Sequence, residues 1–191
     1  MRTFIAIEIP ETLKRNLNRS LGVIRSDLDD GLMRWARLES MHLTLNFLGE
    51  IEVEQVQAIQ ENLEEVTATF PNFNLEIAGL GFFPDASRPR VAWAGIEAAD
   101  GELMKIQTEL AQRLEGIGYE RERRDYHPHL TLGRVRKGLS GDDMLQVSKW
   151  AQSSQLDTVG GLEVQAISLI HSVLRPEGAT HLTLHEARLA G

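Results

Sequence analysis

Met41-His42-Leu43-Thr44-Leu45 has its core repeated 87 residues later, as Pro128-His129-Leu130-Thr131-Leu132. Polar and apolar residues alternate in both stretches, which is the period of a strand with one face on a core. Leu43, Leu45, Leu130 and Leu132 form the core face, so His42, Thr44, His129 and Thr131 point the other way. The same 87-residue offset carries Leu75-Glu76-Ile77 onto Leu162-Glu163-Val164, and Phe4 onto Val91. Three ordered matches at one offset read as an internal duplication. The fold class expected from this is α+β: bilobal, pseudo-two-fold and duplicated. Each lobe is an antiparallel sheet with helices on its outer face, and a cleft runs between the lobes. Residues 1–191 read as one domain, with repeat halves at approximately 1–87 and 88–191.

Periodicity outside the motif is consistent with that plan. Strands are expected at Thr3 to Ile9, Met41 to Leu48, Asn74 to Leu80, Arg90 to Ile96, His129 to Val135, Leu162 to Ser172 and Thr180 to Arg188. A helix starting at Pro10 has Leu13, Leu17, Leu21 and Ile24 on one face. Val56, Ile59, Leu63 and Val66 mark a second helix. A third, with Asp100 as its cap, presents Leu103, Ile106, Leu110, Leu114 and Ile117. A short fourth runs from Asp142 to Ala151, and Arg175-Pro176-Glu177-Gly178 reads as a turn.

Composition narrows the function classes. With no cysteine, the chain has no disulfide, thiolate nucleophile or Cys-ligated metal. No apolar run reaches the roughly 18 residues that span a bilayer, and the first residues do not form a signal peptide. The expectation is a cytoplasmic protein with no membrane partner and no obligate protein partner. A net charge of −8 argues against a protein that coats long RNA by its phosphates. A site for one nucleotide or one RNA end is compatible with it.

Two imidazoles and two hydroxyls across a cleft suit in-line displacement at phosphorus. One histidine takes a proton from the attacking water and the other gives one to the departing oxygen; an unperturbed pKa of about 6.5 lets both forms exist near neutral pH. Threonine hydroxyls can donate to the non-bridging oxygens, where charge builds up. The chemistry needs no metal and no cofactor. The residues alone do not say which histidine is acid and which is base. His127 shares a face with His129, but at its offset position stands Ser40. A metal held by His127 and His129 lacks an evident third ligand. A further copy of the motif, His181-Leu182-Thr183-Leu184, lies outside the offset and reads as a coincidence of strand patterning. His171 and His185 read as structural. Phe47 reads as a core residue, with base stacking as the alternative. Strict alternation puts Arg134 on the leucine face, so it reaches the site only if Gly133 breaks the strand.

The stretches Arg37-Leu38-Glu39-Ser40-Met41-His42-Leu43-Thr44-Leu45-Asn46-Phe47-Leu48-Gly49-Glu50 and His127-Pro128-His129-Leu130-Thr131-Leu132-Gly133-Arg134 resemble the paired His-x-Thr-Leu motifs of the two-histidine (2H) phosphoesterase superfamily. Within it, the chain is similar to the RNA 2′,3′-cyclic phosphodiesterase family, also called 2′-5′ RNA ligase-like. Phe4-Ile5-Ala6-Ile7, Trp35 and Phe83-Pro84 fit as well. The tail departs from the pattern, with His181 near the place where the family usually has tyrosine. The resemblance implies hydrolysis of a 2′,3′-cyclic phosphate to a 2′-phosphate, with His42 as proton donor, His129 as proton acceptor, and Thr44 and Thr131 on the phosphate. The implied partners are RNA 3′ ends or small nucleotides carrying the cyclic phosphate. Two alternatives stand beside hydrolysis: 2′-5′ RNA ligation by the reverse reaction, and a nucleotide-binding module without chemistry.

Overall fold

The computed structural model describes residues 1–122, 124–175 and 178–191. In chain order the elements are β1 (Arg2–Glu8), α1 (Glu11–Ser26), β2 (Met33–Trp35), β3 (His42–Glu50), α2 (Val56–Thr67), β4 (Phe73–Phe83) and β5 (Val91–Glu97). They continue with α3 (Glu102–Gly116), β6 (His129–Val135), α4 (Gly141–Ser153), β7 (Gly160–Val164), β8 (Ala166–Arg175) and β9 (Gly178–Arg188). One antiparallel sheet has the order β3-β1-β8-β9 and the other β2-β6-β5-β4-β7. The architecture is α+β with two antiparallel sheets, as the patterning predicts. Among the described residues no helix is long and apolar enough to cross a membrane.

The helices form where apolar residues recur at three- and four-residue spacing, and they bury those residues. Leu13, Leu17, Leu21 and Ile24 of α1 are buried, as are Ile59, Leu63 and Val66 of α2. Leu103, Ile106, Leu110 and Leu114 of α3 join them. They meet Leu43, Leu130 and Leu132 of the motif strands in one continuous core. Ser140 caps α4 with its hydroxyl on the Asp143 amide. At the start of α3 the cap is Gly101 in a left-handed conformation (φ 69°) and not Asp100; only glycine takes that φ without strain.

Each sheet draws on both halves of the chain. β4, from the first half, lies beside β5, and β8, from the second, lies beside β1. The registers repeat at the 87-residue offset. Phe4 pairs with Phe47 and Glu8 with His42; correspondingly, Val91 pairs with Arg134 and Gly95 with His129. A β-bulge falls between Ile5 and Ala6 in one sheet and between Ala92 and Trp93 in the other. The outer neighbour follows suit, since Phe4 pairs with Ile170 and Val91 with Phe83. Leu75 sits directly opposite Leu162, its own counterpart.

The expected strand Leu162 to Ser172 is two strands. β7 ends at Val164 in one sheet and β8 begins at Ala166 in the other, so the chain changes sheets at Gln165. Continuous apolar patterning hides such a crossing. β2 is too short to show a period and was not expected. Pro176 and Glu177, in the expected turn at Arg175-Pro176-Glu177-Gly178, lie outside the described residues, as does Arg123.

Candidate active site

His42 and His129 are each the first residue of a strand, β3 and β6. Leu43 and Leu130 behind them are fully buried, while His42, Thr44, His129 and Thr131 stay partly exposed on the opposite face. β3 lies against β6, and the Tyr126 hydroxyl donates to the Thr44 carbonyl at 2.9 Å. That bond ties the segment leading into His129 to the strand that carries His42.

Each ring has beside it the backbone of the residue two positions back. The His129 Nδ1–H donates to the carbonyl of His127, two residues back, at 2.6 Å. A carbonyl can only accept, so Nδ1 carries a proton, and in the neutral ring Nε2 is the nitrogen left to accept one. Beside the His42 ring lies the backbone of Ser40, also two residues back, which favours the protonated ring. Ser40 and His127 stand 87 residues apart. The backbone of residue 127 therefore matters where its side chain, which is exposed, had seemed to lack a counterpart.

The neighbours of the two histidines differ. Phe4 stacks on the His42 ring with centroids 4.3 Å apart. His129 meets the Phe83 edge at 5.1 Å and Trp93 at 6.1 Å. Trp93 lies flat over Gly81, where a Cβ would come within 2.1 Å of the indole. His181, read as lying outside the site, is edge-on to His42 with centroids 4.8 Å apart. The 87-residue offset says nothing about β9, because the hairpin with β8 has no counterpart in the first half; that hairpin brings the third motif in. Thr183 faces the same way, and its hydroxyl donates to Glu8 Oε1 at 2.9 Å.

Burial, then the charge of His181, then Lys14, hold His42 down at about 4, and the nearby Ser40 backbone offsets part of this. His181 is also lowered, by burial first and by Lys14 second. The Lys14 side chain is 12% exposed and bonds Glu11 at 3.1 Å, so this cation comes from a helix that the motif reading did not connect to the site.

The bulges decide two further residues. Directly opposed residues in a ladder share a face. Phe47 is opposite Phe4, which stacks on His42, so Phe47 is on the histidine face. It is 51% exposed, with the Arg2 guanidinium 5.0 Å above its ring, which overturns its reading as a core residue. Arg134 is opposite Val91, two residues from Trp93 on the same side of β5, so it too is on the histidine face. The extra residue between Thr131 and Gly133 breaks the alternation that had assigned Arg134 to the leucines.

His185 pairs with Glu64 at 2.7 Å, away from the two motif strands. Among the described residues no group of three or more histidines and carboxylates is placed to hold a metal ion. A surface hollow lined by Glu76, Glu97 and Glu163 is acidic and holds none of these histidines.

Known proteins resemble this chain in sequence and in fold. The family described as LigT like Phosphoesterase matches residues 7–93. An Aeropyrum pernix protein named RNA 2′,3′-cyclic phosphodiesterase is 33% identical over 158 residues, 83% of this chain and 87% of its own. A Thermotoga maritima protein of the same name is 32% identical over 194 residues, 100% of this chain and 97% of its own. The crystal structure of E. coli LigT complexed with 3′-AMP superposes with a TM-score of 0.78 at 21% identity, covering 100% of this chain and 98% of that one. At that identity the likeness concerns the fold.

Proposed function

The chain belongs to the RNA 2′,3′-cyclic phosphodiesterase family of LigT-like phosphoesterases, and on that premise we propose that it hydrolyses terminal 2′,3′-cyclic phosphates on RNA ends or small nucleotides to 2′-phosphomonoesters. The observation that carries the reading is the matched placement of the two rings: His42 opposite Glu8 of β1 and His129 opposite Gly95 of β5, at one 87-residue offset, with His129 held on the carbonyl of His127. A fixed tautomer is what an acid–base pair needs, since a freely turning imidazole presents the wrong nitrogen part of the time.

In this mechanism His129 Nε2 takes a proton from water as the water oxygen attacks phosphorus. The bond from phosphorus to the 3′ oxygen breaks, and His42 gives that oxygen its proton. Thr44 and Thr131 donate to the non-bridging oxygens, with Arg134 supplying positive charge nearby. Free His42, held at about 4, is neutral at neutral pH. A donor must be charged, and the anionic cyclic phosphate favours that by opposing the effects of burial and of His181. Once loaded, an imidazolium of low proton affinity is a strong acid toward the leaving oxygen. The 3′-AMP complex named for E. coli LigT supports a nucleotide-sized ligand, and so does the net charge of −8. Because imidazoles and hydroxyls suffice for these steps, the reaction runs without a metal.

A time course with a dinucleotide ending in 2′,3′-cyclic phosphate tests the reading. Ring opening is expected in the native chain and in excess chelator. His42→Ala and His129→Ala are each expected to lose at least about a hundredfold in kcat while remaining folded. Tight binding of the dinucleotide without turnover points to the non-catalytic module instead. Loss in chelator that a divalent ion restores contradicts the metal-free mechanism.

A further inference from the structure

We propose that His181 is a positioning residue for His42, so that the first catalytic histidine works as one member of an imidazole pair; the catalytic part of this rests on the function proposed above. The two rings meet edge to face at 4.8 Å and 78°. Phe4 completes the cluster, stacked on His42 at 4.3 Å and edge-on to His181 at 5.3 Å. The His42 ring is thus bounded on one face by Phe4 and at its side by His181. Two rings from two strands leave it little freedom to turn. An ordinary core position needs no histidine for this. Phenylalanine packs the same volume without carrying a titratable nitrogen into a phosphate site.

Charge gives the pair its second property. Two imidazolium rings this close repel, so His42 and His181 together hold one proton far more readily than two. The other charged groups around them are Lys14 of α1, bonded to Glu11, and Glu8 of β1, which accepts from Thr183. Lys14 adds to the repulsion for both rings. His181 therefore keeps His42 short of its proton until an anion enters the cleft. An incoming cyclic phosphate reverses this balance at the moment the acid is required. An empty site would then hold a neutral donor, and an occupied one a charged donor.

The test uses the full chain with H181F, which keeps a ring but removes the charge, and H181Q, which keeps a polar tip without titrating. Histidine titrations are followed by NMR without substrate. The His42 midpoint is expected to rise by about half a unit or more in both variants, because a cationic neighbour is gone. With the dinucleotide, kcat is expected to fall about tenfold in H181F with KM little changed, as for loss of an effect on the acid alone. The pH limb belonging to His42 is expected to move upward with the NMR midpoint. A His42 midpoint unmoved in a variant that keeps its fold and melting temperature overturns the pairing. The titration reads the pairing even if the native chain turns over no substrate, so failure of the functional reading and failure of this inference are distinguishable.

Discussion

His42 carries a cost that can be measured without any substrate. Its ordinary value of 6.5 is lowered to about 4 in the folded chain, chiefly by burial. Between these two values the unfolded chain binds a proton at this position that the folded chain refuses. Stability is therefore fully present above pH 6.5, falls as pH falls through the window, and stops changing on this account below about 4. At pH 4.5 the expected loss from this one residue is on the order of 2 kcal/mol. Urea unfolding of native chain and His42→Gln at pH 7 and pH 4.5 checks it. The drop between the two pH values is expected to be smaller in the variant by about that amount. Equal drops would mean that the ring titrates alike in both states. None of this was legible from the motif, which shows a histidine on a half-exposed strand but not the rings that close over it.

At the scale of single elements, the strands were the most legible part of the chain, and their irregularities the least. Alternation located β3 and β6 and assigned Leu43 and Leu130 to the core, because a period of two survives wherever one face is buried. It failed at the bulges. One extra residue reverses the faces beyond it; in β6 the local mark was Gly133, named as the place where the strand could break, and in β3 there was none. As a result Phe47 and Arg134, assigned away from the site, stand on the histidine face. Arg134→Ala is therefore expected to lower kcat/KM on the cyclic phosphate about tenfold to a hundredfold, the range for losing a charge-assisted hydrogen bond. The same change at Arg136, beyond the end of β6, is expected to do little. Steady-state kinetics on both variants measures this, and equal effects would remove Arg134 from the site. The hairpin of β8 and β9 was likewise visible as two strands, but its destination was not. Placing His181 beside His42 needs the order β3-β1-β8-β9, a long-range pairing that periodicity does not carry.

On the scale of the whole molecule, the two sheets exchange strands between the halves of the chain, and the registers of β1 on β3 and of β5 on β6 repeat, bulge included. The offset read from two short motifs therefore describes the pairing of whole sheets. Equivalent backbones present equivalent imidazoles, while the walls around them differ: Phe4 and His181 on one side, Phe83 and Trp93 on the other. Under the proposed mechanism that difference gives the site a direction, and direction is the central claim, since it decides which oxygen leaves phosphorus. The most direct measurement is phosphorus NMR of the product after complete digestion of a dinucleotide ending in 2′,3′-cyclic phosphate, with the native chain and with His129→Ala. The account predicts a 2′-phosphomonoester from the native chain and almost no product from the variant in the same time. A dominant 3′-phosphomonoester, or undiminished turnover in His129→Ala, would contradict it.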